Sequence, residues 1–310
     1  MHFFNEPGFL QTNSCFHVSL LKGYALEGAF IRVNSSHFLQ TCLESKALPI
    51  VDHVNKYICG PTEDHRFPMG KFSGVLKCLL GDQVITDKQH KELPHLCPAL
   101  LSAGGTVLAG DIALQRGLAC STAGGTHHAF PGYGSGFCLL NDLAVAAKHM
   151  KKESNTRKIL IVDMDVHQGD GTALIFKEKP DVFTFSVHCG KNFPFKKQQS
   201  DLDINVEDGI EGKKSRVQEH LPWLMDMFHP DLVLYDAGVD PHWEDELGRL
   251  RLTDEGLYQR DLYVLQTVIK KGIPVATVIG GGYSRNIDRL ARRHSIIHRA
   301  AFKVWREDGL

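Results

Sequence analysis

A single α/β domain in three layers, with a mostly parallel central sheet and helices on both faces, is the fold this sequence predicts. Three observations carry it. The runs Ile159–Val162, Val182–Val187, Leu232–Tyr235 and Val275–Ile279 are nearly continuous in apolar residues, as strands buried on both faces are. Segments of helical periodicity separate them, which is the spacing of parallel crossovers. The unusual polar residues gather just past the ends of these runs, where open parallel sheets place their ligands.

Residues 1–46 carry only Glu6, Glu27 and Glu44 as acids and Lys22, Arg32 and Lys46 as bases, without a secretory or transit-peptide layout. They read as a poorly ordered or atypical extension, followed by one domain over 47–310. Leu48–Val51 is a short first strand, with Pro49 acceptable at an edge or a strand start. A turn-rich surface loop covers 55–67. Met69–Leu80 has the pattern of an amphipathic helix, and Ala99–Arg116 that of a longer one closed by Gly117 as its C-cap. Ala103, Gly104, Gly105, Ala109 and Gly110 predict close packing of that helix on a neighbour. Leu118–Thr122 is a short strand, and six of the 29 glycines fall between 117 and 136, marking backbone that turns tightly or approaches a ligand. A helix follows over Leu139–Lys152 with Asn141 near its start, then a strand over 158–166 and one over Val182–Val187. The remaining elements are a helix at Lys214–Phe228, a strand at Leu232–Tyr235, a helix at Glu255–Lys271, a strand at Val275–Ile279 and a C-terminal helix at Asn286–Trp305.

With 35 basic and 36 acidic residues the formal charge is −1, which removes any general electrostatic case for direct nucleic-acid or membrane-surface binding. The eight cysteines are scattered, with no CxxC pair, and read as reduced thiols of an intracellular protein of nucleus or cytoplasm. No apolar run approaches the ~20 residues that span a bilayer, so a soluble protein is expected.

Four loops after strands carry the chemistry: His127-His128, then Asp163, Asp165, His167 and Asp170, then Asp236 and Asp240, then Gly280-Gly-Gly-Tyr283. Period-two alternation puts Asp163, Asp165 and His167 on one side of an extended backbone. Asp165, His167 and Asp240 supply the three donors that a catalytic zinc site uses, leaving a position open. A lone Asp-x-His would more often cap a loop; three further polar loops at the same sheet edge favour the metal. Adjacent histidines are awkward as core residues, because a buried ring needs a partner on each nitrogen. With Asp163 and Asp170 available they suggest two His–Asp dyads, one ring accepting a proton from water and the other protonating a leaving amine. Tyr283, after three glycines, can direct its hydroxyl at a developing oxyanion; judged alone it could equally be an aromatic plug. Phe137 and Phe193, with Gly136 and Gly281, can wall a narrow channel.

In combination, Gly124-Gly-Thr-His-His-Ala129, Asp163-Met-Asp-Val-His-Gln-Gly-Asp-Gly171, Tyr235-Asp-Ala-Gly-Val-Asp240 and Gly280-Gly-Gly-Tyr283 resemble the zinc-dependent histone deacetylases. These belong to the wider histone deacetylase/acetylpolyamine amidohydrolase superfamily, whose fold is arginase/deacetylase-like. The resemblance runs from about Leu48 to the C-terminus. Leu247-Gly-Arg-Leu-Arg-Leu-Thr-Asp-Glu-Gly256 is most similar to the class IV-like branch. The resemblance implies Asp165, His167 and Asp240 as zinc ligands, and His127 and His128 as the acid/base pair backed by Asp163 and Asp170. It implies Tyr283 as the carbonyl-polarising hydroxyl, and a structural K+ held at Asp163, Asp165, His167, Ser186 and Val187. The activity it implies is hydrolysis of acyl-lysine amides in protein substrates such as histone tails. Alternatives are an acetylpolyamine or other small amide as substrate, and a catalytically impaired metal-binding or interaction protein. An arginase-like binuclear manganese enzyme is a more distant rival. One departure stands out: only Gly81 to Pro98 bridges two helices between which the family carries several tens more residues, including part of the active-site rim.

Overall fold

The computed structural model describes residues 48–51, 67–82, 98–209 and 213–310. The extension, most of the surface loop at 55–67 and the link at 83–97 lie outside them. Seven strands form one sheet: β1 (Ile50–Val51), β2 (Leu118–Ser121), β3 (Ile159–Asp163), β4 (Val182–Cys189), β5 (Leu202–Val206), β6 (Leu232–Asp236) and β7 (Val275–Val278). Their order is β1-β2-β7-β6-β3-β4-β5, and every pairing is parallel. The strands β2, β3, β6 and β7 are buried at every residue, which is why their sequences are runs rather than alternations. β1 lies at the sheet edge, where a preceding Pro49 removes no ladder bond.

The helices are α1 (Lys71–Gly81), α2 (Pro98–Arg116), α3 (Asp142–Glu153), α4 (Asp170–Phe176), α5 (Lys213–Phe228), α6 (Asp254–Lys270) and α7 (Ile287–Asp308). They pack as two sets, α2 with α3 and α4, and α1 with α7, α6 and α5, one on each face of the sheet. Gly117 ends α2 at φ +84°, the left-handed conformation of a C-cap, and its N–H closes on Ala113 O at 2.7 Å. Packing by small residues on α2 is real at Gly110, where an added Cβ would lie 3.1 Å from Met150 Cε, but not at Gly104, which has no neighbour within 4 Å among the described residues.

Two elements escape the sequence pattern. α4 has seven residues, too few to establish a period, and β5 is an edge strand, half exposed, carrying Asp203 and Asn205. The expected strand over 158–166 is also shorter, stopping at Asp163. What matters for the site is adjacency. β2, β7, β6 and β3 are consecutive in the sheet, so their four C-terminal loops stand side by side.

Candidate active site and metal centre

β3 ends because side chains take over its backbone. Asp163 Oδ1 accepts from Asp165 N at 3.0 Å, and Asp165 Oδ1 accepts from His167 N at 2.9 Å. Such local bonds compete with an extended ladder. The expectation that Asp163, Asp165 and His167 share one side of a strand is therefore corrected. Asp163 turns to His127, its Oδ2 lying 2.8 Å from Nδ1. Asp165 and His167 turn instead to Asp240: His167 Nδ1 stands 2.9 Å from Asp165 Oδ1 and 3.0 Å from Asp240 Oδ2.

One donor atom from each of Asp165, His167 and Asp240 lies within 4.8 Å of the others, and all three residues are buried. Among the described residues Asp240 Oδ2 makes no properly directed hydrogen bond despite its closeness to His167. Burial and the neighbouring Asp165 push the Asp240 carboxyl up. Burial works against a charged His167, yet Asp240 and Asp165 outweigh it and raise the ring to about 10. The pocket thus favours positive charge at Nδ1, which a cation can supply in place of a proton. Gly281 completes the cradle: a Cβ there would fall 2.3 Å from Asp240 Oδ2 and 2.4 Å from Asp165 Oδ2. Two buried carboxylates and one imidazole fit a divalent metal with an open coordination position.

The two histidines each meet the carboxylate paired with them by the sequence. His128 Nδ1 lies 2.6 Å from Asp170 Oδ1, and the two imidazole centroids are 4.2 Å apart. Their environments differ. Burial and the charge of His127 lower His128 to about 4, so its ring is neutral near pH 7. Burial also opposes charge on His127, but Asp163 and Asp165 raise it well above the usual range. Asn141, the N-cap of α3, donates to His127 O at 3.1 Å, while Asp142 accepts from Thr126 N at 2.7 Å and Gly125 N at 3.1 Å. The histidine loop is therefore held by the start of α3. Asp236, at the end of β6, lies 3.8 Å from His127 Nδ1, its two oxygens accept no hydrogen bond among the described residues, and burial and Asp163 raise its carboxyl strongly.

Tyr283 is 8 % exposed, its ring 6.1 Å from His167 and 5.9 Å from Phe137. Burial, then Asp165 and Asp240, raise its phenol well above the ordinary value, so it is a hydrogen-bond donor at neutral pH. Phe193 stands edge-on to His128 at 4.9 Å, and Gly136 packs where a Cβ would be 2.3 Å from the His128 ring. A cleft is lined by Phe137, Gly136, His127, His128, Gly281 and Tyr283 among others. Ser186 is in register with Asp163 on β4, its Oγ 2.9 Å from His188 Nδ1, and Val187 is fully buried beside it.

Some site residues were not anticipated. Lys71 is 1 % exposed, donates to Gly280 O at 3.1 Å and lies 5.1 Å from the Phe67 ring; burial lowers it to about 8. Its signal is a lysine in the apolar stripe Lys71, Val75, Leu79 of α1. Arg260 is fully buried and donates to Gly238 O at 2.8 Å and Met164 O at 3.1 Å, joining the ends of β6 and β3.

Parallel strands delivering a candidate Asp/His/Asp metal site and two His–Asp dyads to one sheet edge define the class as a deacetylase-type hydrolase. The histone deacetylase domain matches residues 62–298, and the chain belongs to that family. Its relatives include an uncharacterized protein of Picosynechococcus sp., 47 % identical over 298 residues, covering 83 % of this chain and 99 % of the relative. Acetoin utilization protein AcuC of Staphylococcus aureus is 33 % identical over 67 % of this chain and 58 % of its own length. Histone deacetylase 2 of Arabidopsis thaliana is 29 % identical over 63 % of this chain and 52 % of its own. The chain thus spans little more than half of these last two. In the first match, 83 % of 310 residues is about 257 against 298 positions, so about 40 positions find no counterpart here. Among the described residues no helix is long and apolar enough to cross a membrane.

Proposed function

We propose that the chain is a zinc-dependent amidohydrolase that removes an acyl group from a lysine side chain of a protein substrate, histone tails included. The observation that carries the reading is the pair of dyads, His127–Asp163 and His128–Asp170, facing Asp165, His167 and Asp240. Zinc suits a buried donor set of nitrogen and carboxylate oxygen; bound there, it would lower the pKa of a water and polarise an amide carbonyl. The remaining chemistry belongs to the side chains. Neutral His128, oriented by Asp170, accepts the proton of the attacking water. His127, kept charged by Asp163 and Asp165, stabilises the negative charge that develops and is the proton source for the leaving ε-amine. Tyr283 donates its hydroxyl to the oxyanion. Phe137 and Phe193 supply the apolar walls that exclude water from the lysine stem. A structural K+ at Asp163, Asp165, His167, Ser186 and Val187 is part of the same proposal.

The test is a metal determination on the purified chain coupled to hydrolysis of acetyl-lysine peptides, long-chain acyl-lysine peptides and acetylpolyamines. One zinc per chain and turnover of an acyl-lysine peptide are expected, with His128→Ala losing turnover at unchanged metal content. Turnover of acetylpolyamines alone would overturn the substrate, and an active His128→Ala variant would overturn the role of that ring. The roughly 40 absent positions favour one second reading, an impaired metal-binding protein, which predicts bound zinc without hydrolysis of any of the three substrates.

A further inference from the structure

The loop from Gly280 to Tyr283 is held at both backbone groups of Gly281 and both of Tyr283. Gly281 N donates to Asp165 Oδ2 at 2.7 Å, and Gly281 O accepts from Val239 N at 2.7 Å. Gly282 has no room for a side chain, since a Cβ there would be 2.6 Å from Val239 Cγ2 and 2.7 Å from His294 Nε2. The last clasp acts on Tyr283 itself. Its N–H donates to Asp245 Oδ2 at 2.7 Å, its carbonyl accepts from Glu246 N at 3.0 Å, and Glu246 Oε1 accepts from Arg285 N at 2.7 Å.

Asp245 is itself fixed. Its second oxygen accepts from Leu247 N at 2.9 Å and Gly248 N at 2.8 Å, the turn that follows Asp240. Gly248 in turn has no room for a side chain, because a Cβ would overlap Asp240 O. One carboxylate therefore accepts three backbone N–H groups and couples the turn after Asp240 to the backbone of the tyrosine. Neither Asp245 nor Glu246 touches the candidate metal ligands through a side-chain hydrogen bond among those found for the described residues.

We infer that Asp245 is a positioning residue that holds Tyr283 in place for oxyanion stabilisation through its bond to the Tyr283 N–H. The inference rests on the reading of Tyr283 given above. It has a sharp chemical test, because an amide has one acceptor oxygen where the carboxylate has two. In Asp245→Asn an NH2 group must face either the Tyr283 N–H or the Leu247 and Gly248 N–H pair, donor against donor. The tyrosine loop shifts while substrate-binding walls stay, so kcat falls and KM does not.

The experiment measures kcat and KM on an acetyl-lysine peptide, with metal content, for the wild type, Asp245→Asn, Asp245→Glu, Tyr283→Phe and the double variant Asp245→Asn/Tyr283→Phe. Loss of an oxyanion donor costs roughly 100-fold or more in kcat, the expectation for Tyr283→Phe. Asp245→Asn should lower kcat at least about tenfold with KM within about threefold, and Asp245→Glu should recover part of it. The double variant should be no slower than Tyr283→Phe alone, since two changes to one interaction do not add. Unchanged kcat in Asp245→Asn, or losses that multiply in the double variant, would overturn the positioning role. Equal kcat in wild type and Tyr283→Phe would overturn the underlying reading of Tyr283 and the inference with it. Amide exchange of the wild type is independent of whether the variants fold: the Tyr283 N–H should be protected, and exchange at the rate of an unstructured peptide would refute the bond.

Discussion

Replacing Gly281 with alanine adds one methyl group between the two carboxylates of the candidate metal site. The Cβ would lie 2.3 Å from Asp240 Oδ2 and 2.4 Å from Asp165 Oδ2, about 1 Å inside ordinary van der Waals contact. The loop is held on its other side, where Gly281 O accepts from Val239 N at 2.7 Å. The carboxylates must therefore yield. Metal–oxygen bonds tolerate about 0.2 Å, so a shift of this size removes at least one ligand atom from reach. A supporting change usually weakens a metal site by about 10–100-fold, and displacing a ligand should place Gly281→Ala at or beyond the upper end, roughly 2.7 kcal/mol. Zinc titration against a competing chelator measures it, with Gly132→Ala as control, since Gly132 is exposed and a Cβ there meets nothing within 4 Å. Unfolding of both metal-free variants separates metal loss from misfolding. Affinity in Gly281→Ala within about threefold of wild type would refute the assignment of Asp165 and Asp240 as ligands.

Two further predictions concern stability. His298 is fully buried, and burial lowers its pKa to about 4. Between about pH 6.5 and 4 the unfolded chain binds a proton that the native ring refuses, so native stability declines as pH falls, on the order of 3 kcal/mol across the window. Urea unfolding at several pH values should show a flatter acid limb for His298→Leu; identical slopes would count against the assignment. Gly104, inside α2 with no described neighbour within 4 Å of an added Cβ, should accept alanine with a gain of about 0.5–1 kcal/mol and a Tm rise of roughly 1–4 °C. A lower Tm would mean that the site is more crowded than the structure has it.

What could be read from sequence follows from the range of the forces involved. β3, β6 and β7 were legible because burial on both faces demands apolar residues at every position, a local signature. That Asp165, His167 and Asp240 would meet was legible because all three follow buried runs whose C-terminal ends a parallel sheet brings to one edge. Their directions were not: the bonds from Asp163 to Asp165 N and from Asp165 to His167 N bend the backbone where alternation would keep it straight. Lys71 and Asp245 were missed for a different reason, since each acts on backbone groups that lie 209 and 38 positions away.

The two kinds of residue meet at one atom. Asp165 Oδ2 lies in the metal cradle and also accepts the Gly281 N–H, so the carboxylate that would hold the cation also anchors the loop that presents Tyr283. An isosteric Asp165→Asn change would weaken both at once, and loss of activity in it would not tell a ligand from an anchor. Asp245→Asn and Gly281→Ala divide the two roles. The first strikes the loop beyond the cradle, where Tyr283 N is bonded, and the second strikes the cradle while leaving Asp245 in place. If metal affinity and oxyanion stabilisation are separate properties of this sheet edge, the first variant keeps its metal and loses kcat, and the second loses its metal.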